Sequence, residues 1–248
     1  MIEICANDLQ SALNARNGGA GRVELCSALS EGGLTPGPGT ILLAREIPGI
    51  KLHVLIRPRS GDFLYSEQEL EIIRRDIRFC RTVGCDGVVA GFLTSNGDIH
   101  AKLTREMVEL AHPLEVTFHR AFDVCRNPLE ALESLRKTGI KRILTSGQAV
   151  TAEQGIPLIA ELVKRAGDQI IIMPGAGINE SNILKIAETT GAKEFHLSAS
   201  AMVESKMTFR NTTVKPGSRA SASEYAYLQS DREKISKVVE IYSKHIRI

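Results

Sequence analysis

Two thiols near the start of the chain sit in matching contexts. Glu3-Ile4-Cys5 and Glu24-Leu25-Cys26 each finish a short apolar, strand-like run. Neighbouring strands lie about 4.8 Å apart, so paired strand ends of this kind can present two sulfur atoms to one ion. Two soft sulfur ligands suit Cu(I), whereas Zn(II) would want four ligands and the chain has no Cys-x-x-Cys knuckle. A free cysteine also packs readily as a small buried hydrophobe, and spacing alone does not separate the two roles. Cys125, after a later strand, is the candidate third ligand, while Cys80 and Cys85 read as packing residues.

Cations, imidazoles and small-residue turns form a second set. Arg57 and Arg120 carry permanent charge and, converging on one rim, would clamp an anion. The turns Thr145-Ser146-Gly147, Pro174-Gly175-Ala176-Gly177 and Ser198-Ala199-Ser200 let backbone N–H groups approach such an anion closely. The anion-binding candidates are therefore Arg57, Arg120, Ser146, Gly147, Gly175, Gly177, His196 and Ser198. Glu24, His119 and Asp123 are the candidates for moving a proton, and His119 and His196 can equally assist a soft metal.

These residues need elements to position them. Strand-like runs near residues 2–6, 22–26, 51–57, 86–91, 114–119, 141–145, 169–173 and 193–198 alternate with amphipathic stretches. Gly18-Gly19, Gly84, Gly139, Gly167 and Gly191 close helices shortly before the next strand. Asn127-Pro128 with Glu130, Ser66 with Glu69, and Ser230 with Glu233 mark helix starts. Strict alternation predicts a parallel sheet.

The strands choose between closure and an open, doubly wound sheet. Parallel strands covered by helices on both faces are apolar throughout. Here polar residues recur at every second position: Glu3 and Cys5, Glu24 and Cys26, His53 and Arg57, then Glu115, Thr117 and His119, then Glu194, His196 and Ser198. One face meets helices and the other a polar, filled lumen, which predicts a single-domain (β/α)8 TIM barrel over residues 1–248. The length of 248 residues matches the roughly 250 typical of that fold. Residues early in a strand, such as His53, Glu115 and Glu194, then read as lumen ion pairs. Those at strand C-terminal ends fall where barrels place their chemistry. An irregular stretch at about 201–224 is either a lid or an oligomer contact, with Phe209-Arg210-Asn211 as a site-facing hook or plain surface. A helix at about 230–244 completes the outer ring.

Composition excludes several roles. Thirty-one basic against 29 acidic residues give a net charge of +2 with no basic stripe, which argues against nucleic acid. Aromatics are only 4% and tryptophan is absent, leaving little for base-stacking platforms. Five cysteines and no leader-like start point to a thiol-reduced, cytoplasmic protein. No apolar run approaches the roughly 20 residues that span a bilayer.

Several ordered strings carry a family resemblance. They are Arg22-Val23-Glu24-Leu25-Cys26-Ser27 with Ser30-Glu31-Gly32-Gly33-Leu34-Thr35-Pro36, Ile56-Arg57-Pro58-Arg59 with Gly61-Asp62-Phe63 and Tyr65-Ser66, and Val116 through Asp123. Leu144-Thr145-Ser146-Gly147, Gly175-Ala176-Gly177-Ile178, Phe209-Arg210-Asn211 and Ser223-Glu224-Tyr225 extend the match. On these the chain resembles the CutC family, from Met1 into the C-terminal helix. The resemblance implies a TIM barrel, a cytoplasmic homo-oligomer (dimer or tetramer) and a role in copper homeostasis. It also implies Cu(I) binding at the thiols Cys5 and Cys26. Val124 departs from the family, where methionine is frequent, so no thioether is expected from that loop. The alternative expectation is an enzyme acting on a small anionic or phosphorylated substrate held by Arg57, Arg120 and the glycine-rich turns.

Overall fold

The computed structural model describes residues 1–211, 213 and 224–246. Eight parallel strands form its centre: β1 (Ile2–Ala6), β2 (Arg22–Leu25), β3 (Lys51–Leu55), β4 (Gly87–Ala90), β5 (Glu115–Phe118), β6 (Arg142–Thr145), β7 (Ile171–Pro174) and β8 (Phe195–Leu197). They pair in the order β7-β6-β5-β4-β3-β2-β1-β8, and a parallel bridge from Gly175 to His196 brings the two ends together. The sheet is a nearly closed TIM barrel, as the alternation of polar and apolar residues requires.

Helices α1 (Leu9–Asn17), α2 (Pro38–Arg45), α3 (Glu67–Val83), α4 (Ala101–Ala111), α5 (Pro128–Leu135), α6 (Ile156–Ala166), α7 (Ile183–Thr190) and α8 (Arg232–Ile246) surround it. Ser66 and Glu69 form a reciprocal capping box at α3, and Asn127 accepts from the N–H groups of Leu129 and Glu130 at α5. At α8 the expected Ser230 cap is displaced by one residue. Asp231 Oδ1 accepts from Lys234 N–H at 2.8 Å, because Ser230 is the last residue of a strand and its hydroxyl turns to the carbonyl of Cys5. Phe195 meets Tyr242 of α8 edge-on, which seats this last helix against β8.

The outward strand residues, among them Ile4, Val23, Val54, Val88 and Ile143, join the helices in one large apolar core. Inside the lumen the register brings charges together. Arg22 bonds to Glu3 and, at 2.6 Å, to Glu194; Arg142 reaches Glu194 at 3.1 Å and Glu115 at 2.7 Å. Glu3, Glu115 and Glu194 thus find two buried cations, Arg22 and Arg142, that sequence reading had not placed in the lumen. His53 fills the space that Gly87 leaves: a Cβ there would lie 2.6 Å from the ring.

Residues after β8 are more regular than expected. Strand β9 (Ser200–Glu204) pairs antiparallel with β10 (Ala226–Ser230), and the pair docks on α1 through Asn7 and Asn14 side chains that donate to Leu228 and Ser230 carbonyls. Phe209 is exposed, while Arg210 stacks on the Tyr225 ring. Ser223 and most of 212–223 lie outside the described residues. Among those described, no helix is long and apolar enough to cross a membrane.

Candidate functional site

The C-terminal ends of the strands surround a cavity of about 440 Å³. Among the described residues, four non-glycine positions hold left-handed backbone, Ala28, Gln148, Ala176 and Ala199, and each follows a strand at this rim. Such conformations cost about 1–3 kcal/mol each and collect where loops are shaped for a purpose.

Strands β1 and β2 bring the two thiols together, Cys5 lining the cavity and Cys26 fully buried. Their register pairs Cys5 with Glu24, so Cys26 stands one pleat further along rather than level with Cys5. Because barrel strands are staggered, the two sulfurs still approach to 3.7 Å. Leu55 and Val89 pack on them in a small apolar cluster separate from the outer core. The bond to Cys26, then burial, pushes the Cys5 thiol up, so it holds its proton at neutral pH.

Cys5, Glu24 and His196 offer ligand atoms that all lie within 4.8 Å of one another. His196 Nδ1 sits 2.7 Å from Glu3 Oε1, which in the neutral ring takes the Nδ1 proton and leaves Nε2 as the free ligand atom. Burial opposes charge on Glu3, but Arg22 and His196 hold it well below the usual carboxylate range. Burial likewise opposes charge on His196, yet the Glu24 and Glu3 carboxylates raise it overall. Glu24 goes the other way: burial, reinforced by Glu3, lifts it to about 7 against the pull of His196 and Arg22. Its Oε2 has no hydrogen-bond partner.

Arg57, Phe63 and His119 line the same cavity. Arg57 follows β3 and spends both Nη groups on backbone: Nη1 on the carbonyls of Glu31 and Gly33, both at 3.0 Å, and Nη2 on that of Gly61 at 2.8 Å. It therefore ties two rim loops together, a role the sequence did not reveal. His119 Nδ1 accepts from Ala121 N–H, and Gly91 leaves room for the ring, since a Cβ there would lie 2.5 Å from Nδ1.

Arg120 also lines the cavity, half exposed, with Nε on Asp123 at 2.7 Å and Nη2 on Ser146 Oγ at 3.1 Å. Gly177 and Ser198 reach the cavity as well. The remaining candidates stand off its wall. Asp123 accepts from Ser146 N–H, Gln148 N–H and Thr145 Oγ, and so clamps the turn after β6. Ser146 is buried in that clamp, and Gly147 packs on Gly155, where a Cβ would fall 2.5 Å from a carbonyl oxygen. Gly175 gives space to Leu144 and His196. Cys125 opens instead on a groove beside Asp98 and Arg126, so the structure does not bring it to the other thiols. Sequence reading missed Phe63, whose only signal was its place in Gly61-Asp62-Phe63, and missed Leu228, which β10 brings over the cavity.

Fold and rim together define a TIM-barrel protein with a thiol-lined cavity at the C-terminal face. The CutC family model matches residues 1–201, and the chain belongs to that family. It is 54% identical over 240 residues to a CutC family protein of Parabacteroides distasonis, covering 96% of this chain and 99% of the relative. It is 44% identical to the human copper homeostasis protein cutC homolog, over 100% of this chain and 90% of that one. The crystal structure of CutC from Streptococcus agalactiae superposes with a TM-score of 0.77 at 34% identity, covering 80% of this chain and 98% of that one.

Proposed function

We propose that this chain is a cytoplasmic copper-homeostasis protein that binds Cu(I) through Cys5 and Cys26, with the His196 imidazole beside Cys5. The observation that carries this reading is the pair of sulfurs 3.7 Å apart in an apolar pocket. Soft sulfur ligands in a dry site select Cu(I) over harder ions, and an imidazole completes a low-coordinate set. The relatives named for copper homeostasis support the same reading. Both thiols must lose a proton to serve as ligands, so Cu(I) affinity rises with pH. The exposed Met202 and Leu228, level with each other on one face of the β9–β10 pair, with the exposed Phe209 beyond it, support a homo-oligomer formed through that face.

The test is a Cu(I) titration against a competing chelator. Replacing both thiols (Cys5→Ser with Cys26→Ser) lowers the affinity by about a hundredfold or more, and Cys125→Ser leaves it unchanged. A double variant that binds as tightly as the parent refutes the reading.

A further inference from the structure

Three arginines are buried in the described structure: Arg22, Arg57 and Arg142. Arg22 and Arg142 are each paired with carboxylates. Arg57 is different, since its bonds go to neutral carbonyls and no described carboxylate lies within ion-pairing distance. A buried cation without a counter-ion is costly. Its Nε–H, moreover, is buried with no partner, and Arg57 lines the rim cavity.

A second orphan donor stands close by. Because His119 Nδ1 accepts from the Ala121 N–H, the neutral ring carries its proton on Nε2, and that atom is also buried and unpartnered. Burial, then the charge of Arg57, keeps the ring neutral by moving it down to about 3. The Phe63 ring touches both residues, with its centroid 5.0 Å from the Arg57 guanidinium carbon and 4.9 Å from the imidazole centroid. Two unpartnered donors and one uncompensated positive charge therefore belong to residues that line a single cavity.

We infer that this cavity binds a small organic carboxylate, held by Arg57 Nε–H and His119 Nε2–H, with its hydrocarbon part on the apolar wall. The charge count selects a carboxylate: Arg57 brings one uncompensated positive charge, while Arg120, the other arginine at the cavity, is already paired with Asp123. A doubly charged phosphate would exceed that single charge, and three of the five Arg57 N–H groups are already spent on carbonyls. Leu29, Leu55, Leu144 and Ile178 line the same space and would cover an aliphatic body. At about 440 Å³ the cavity is far larger than an ion needs. It falls in the range of roughly 300–1,000 Å³ usual for small-molecule sites.

Calorimetric titration of the full chain with hexanoate, hexanamide and inorganic phosphate tests this. Hexanoate is expected to bind saturably, about tenfold or more tighter than hexanamide, and phosphate is expected not to displace it. His119→Asn keeps an acceptor for the Ala121 N–H but removes the Nε2 donor, and is expected to weaken hexanoate about tenfold while the circular dichroism is unchanged. The assignment is overturned by a folded protein with no saturable hexanoate binding at about 10 mM. Equal affinity for the amide, displacement by equimolar phosphate, or an unaffected His119→Asn variant overturns it too. Cu(I) affinity of His119→Asn is expected to match the parent, so the carboxylate and copper readings fail separately.

Discussion

Glu24 is a buried acid held partly protonated near neutrality, and that has a measurable cost. Burial, then repulsion from Glu3, raises its folded-state value from 4.5 to about 7 against the pull of His196 and Arg22. The side chain is 5% exposed, so solvent screening does not discount the effect. At about 1.4 kcal/mol per tenfold change, this corresponds to roughly 3 kcal/mol. The folded protein retains the Glu24 proton over a range where the unfolded chain has lost it. Stability therefore falls as pH rises from 4.5 to about 7 and stays low above that. His196 acts in the same direction: its folded value is raised, so its contribution is present below 6.5 and is lost as pH climbs through the folded value.

Glu24→Gln removes the acid without changing its size. In urea denaturation of metal-free protein, the variant should match the parent near pH 4.5 and exceed its stability by about 3 kcal/mol near pH 8. Part of the difference is the lost attraction between Glu24 and His196, which lowers the imidazole's share and narrows the gap by a fraction of that amount. Parallel pH profiles for the two proteins would refute the reasoning, because they would mean Glu24 ionises in the folded state as easily as in the unfolded one.

Other expectations follow from single contacts. Gly87→Ala places a Cβ 2.6 Å from the buried His53 ring and should cost about 1–3 kcal/mol in chemical denaturation. Arg22→Ala leaves Glu3 with His196 alone and Glu194 with Arg142 alone, an expected loss of about 3–5 kcal/mol. Glu3→Ala should weaken Cu(I) binding by about 10–100-fold in the chelator competition, since it removes the acceptor that orients His196.

The barrel was legible because two periods were written side by side: alternating residues in the strands and capped amphipathic stretches between them. Cys5, Glu24, His119 and His196 were legible as rim residues for the same reason, each lying at a strand end on the polar face. What stayed hidden depends on geometry between strands. The stagger of a closed barrel moves Cys26 one pleat from Cys5 and carries Arg22 and Arg142, at the starts of their strands, into a sealed lumen. Arg57 read as a free anion clamp because nothing local shows that the Glu31, Gly33 and Gly61 carbonyls fold back onto it. Asp123 read as a free carboxylate, yet the turn 22 or more residues later consumes it.

Glu3 is the point where the lumen and the cavity become one electrostatic unit. One of its oxygens bonds Arg22 and the other His196. From Arg22 the chain of pairs continues through Glu194 to Arg142 and Glu115 across the barrel. A carboxylate so strongly held stays ionised whatever occupies the cavity, so it fixes the tautomer and direction of the imidazole in advance of any ligand. Arg57 is fixed differently, by the carbonyls of Glu31, Gly33 and Gly61 that hold its fork and leave Nε–H buried without a partner. The His196 imidazole and the Arg57 guanidinium are thus held by different hydrogen-bond partners, so separate substitutions at Cys5 and His119 can tell copper chemistry from carboxylate recognition in a single cavity.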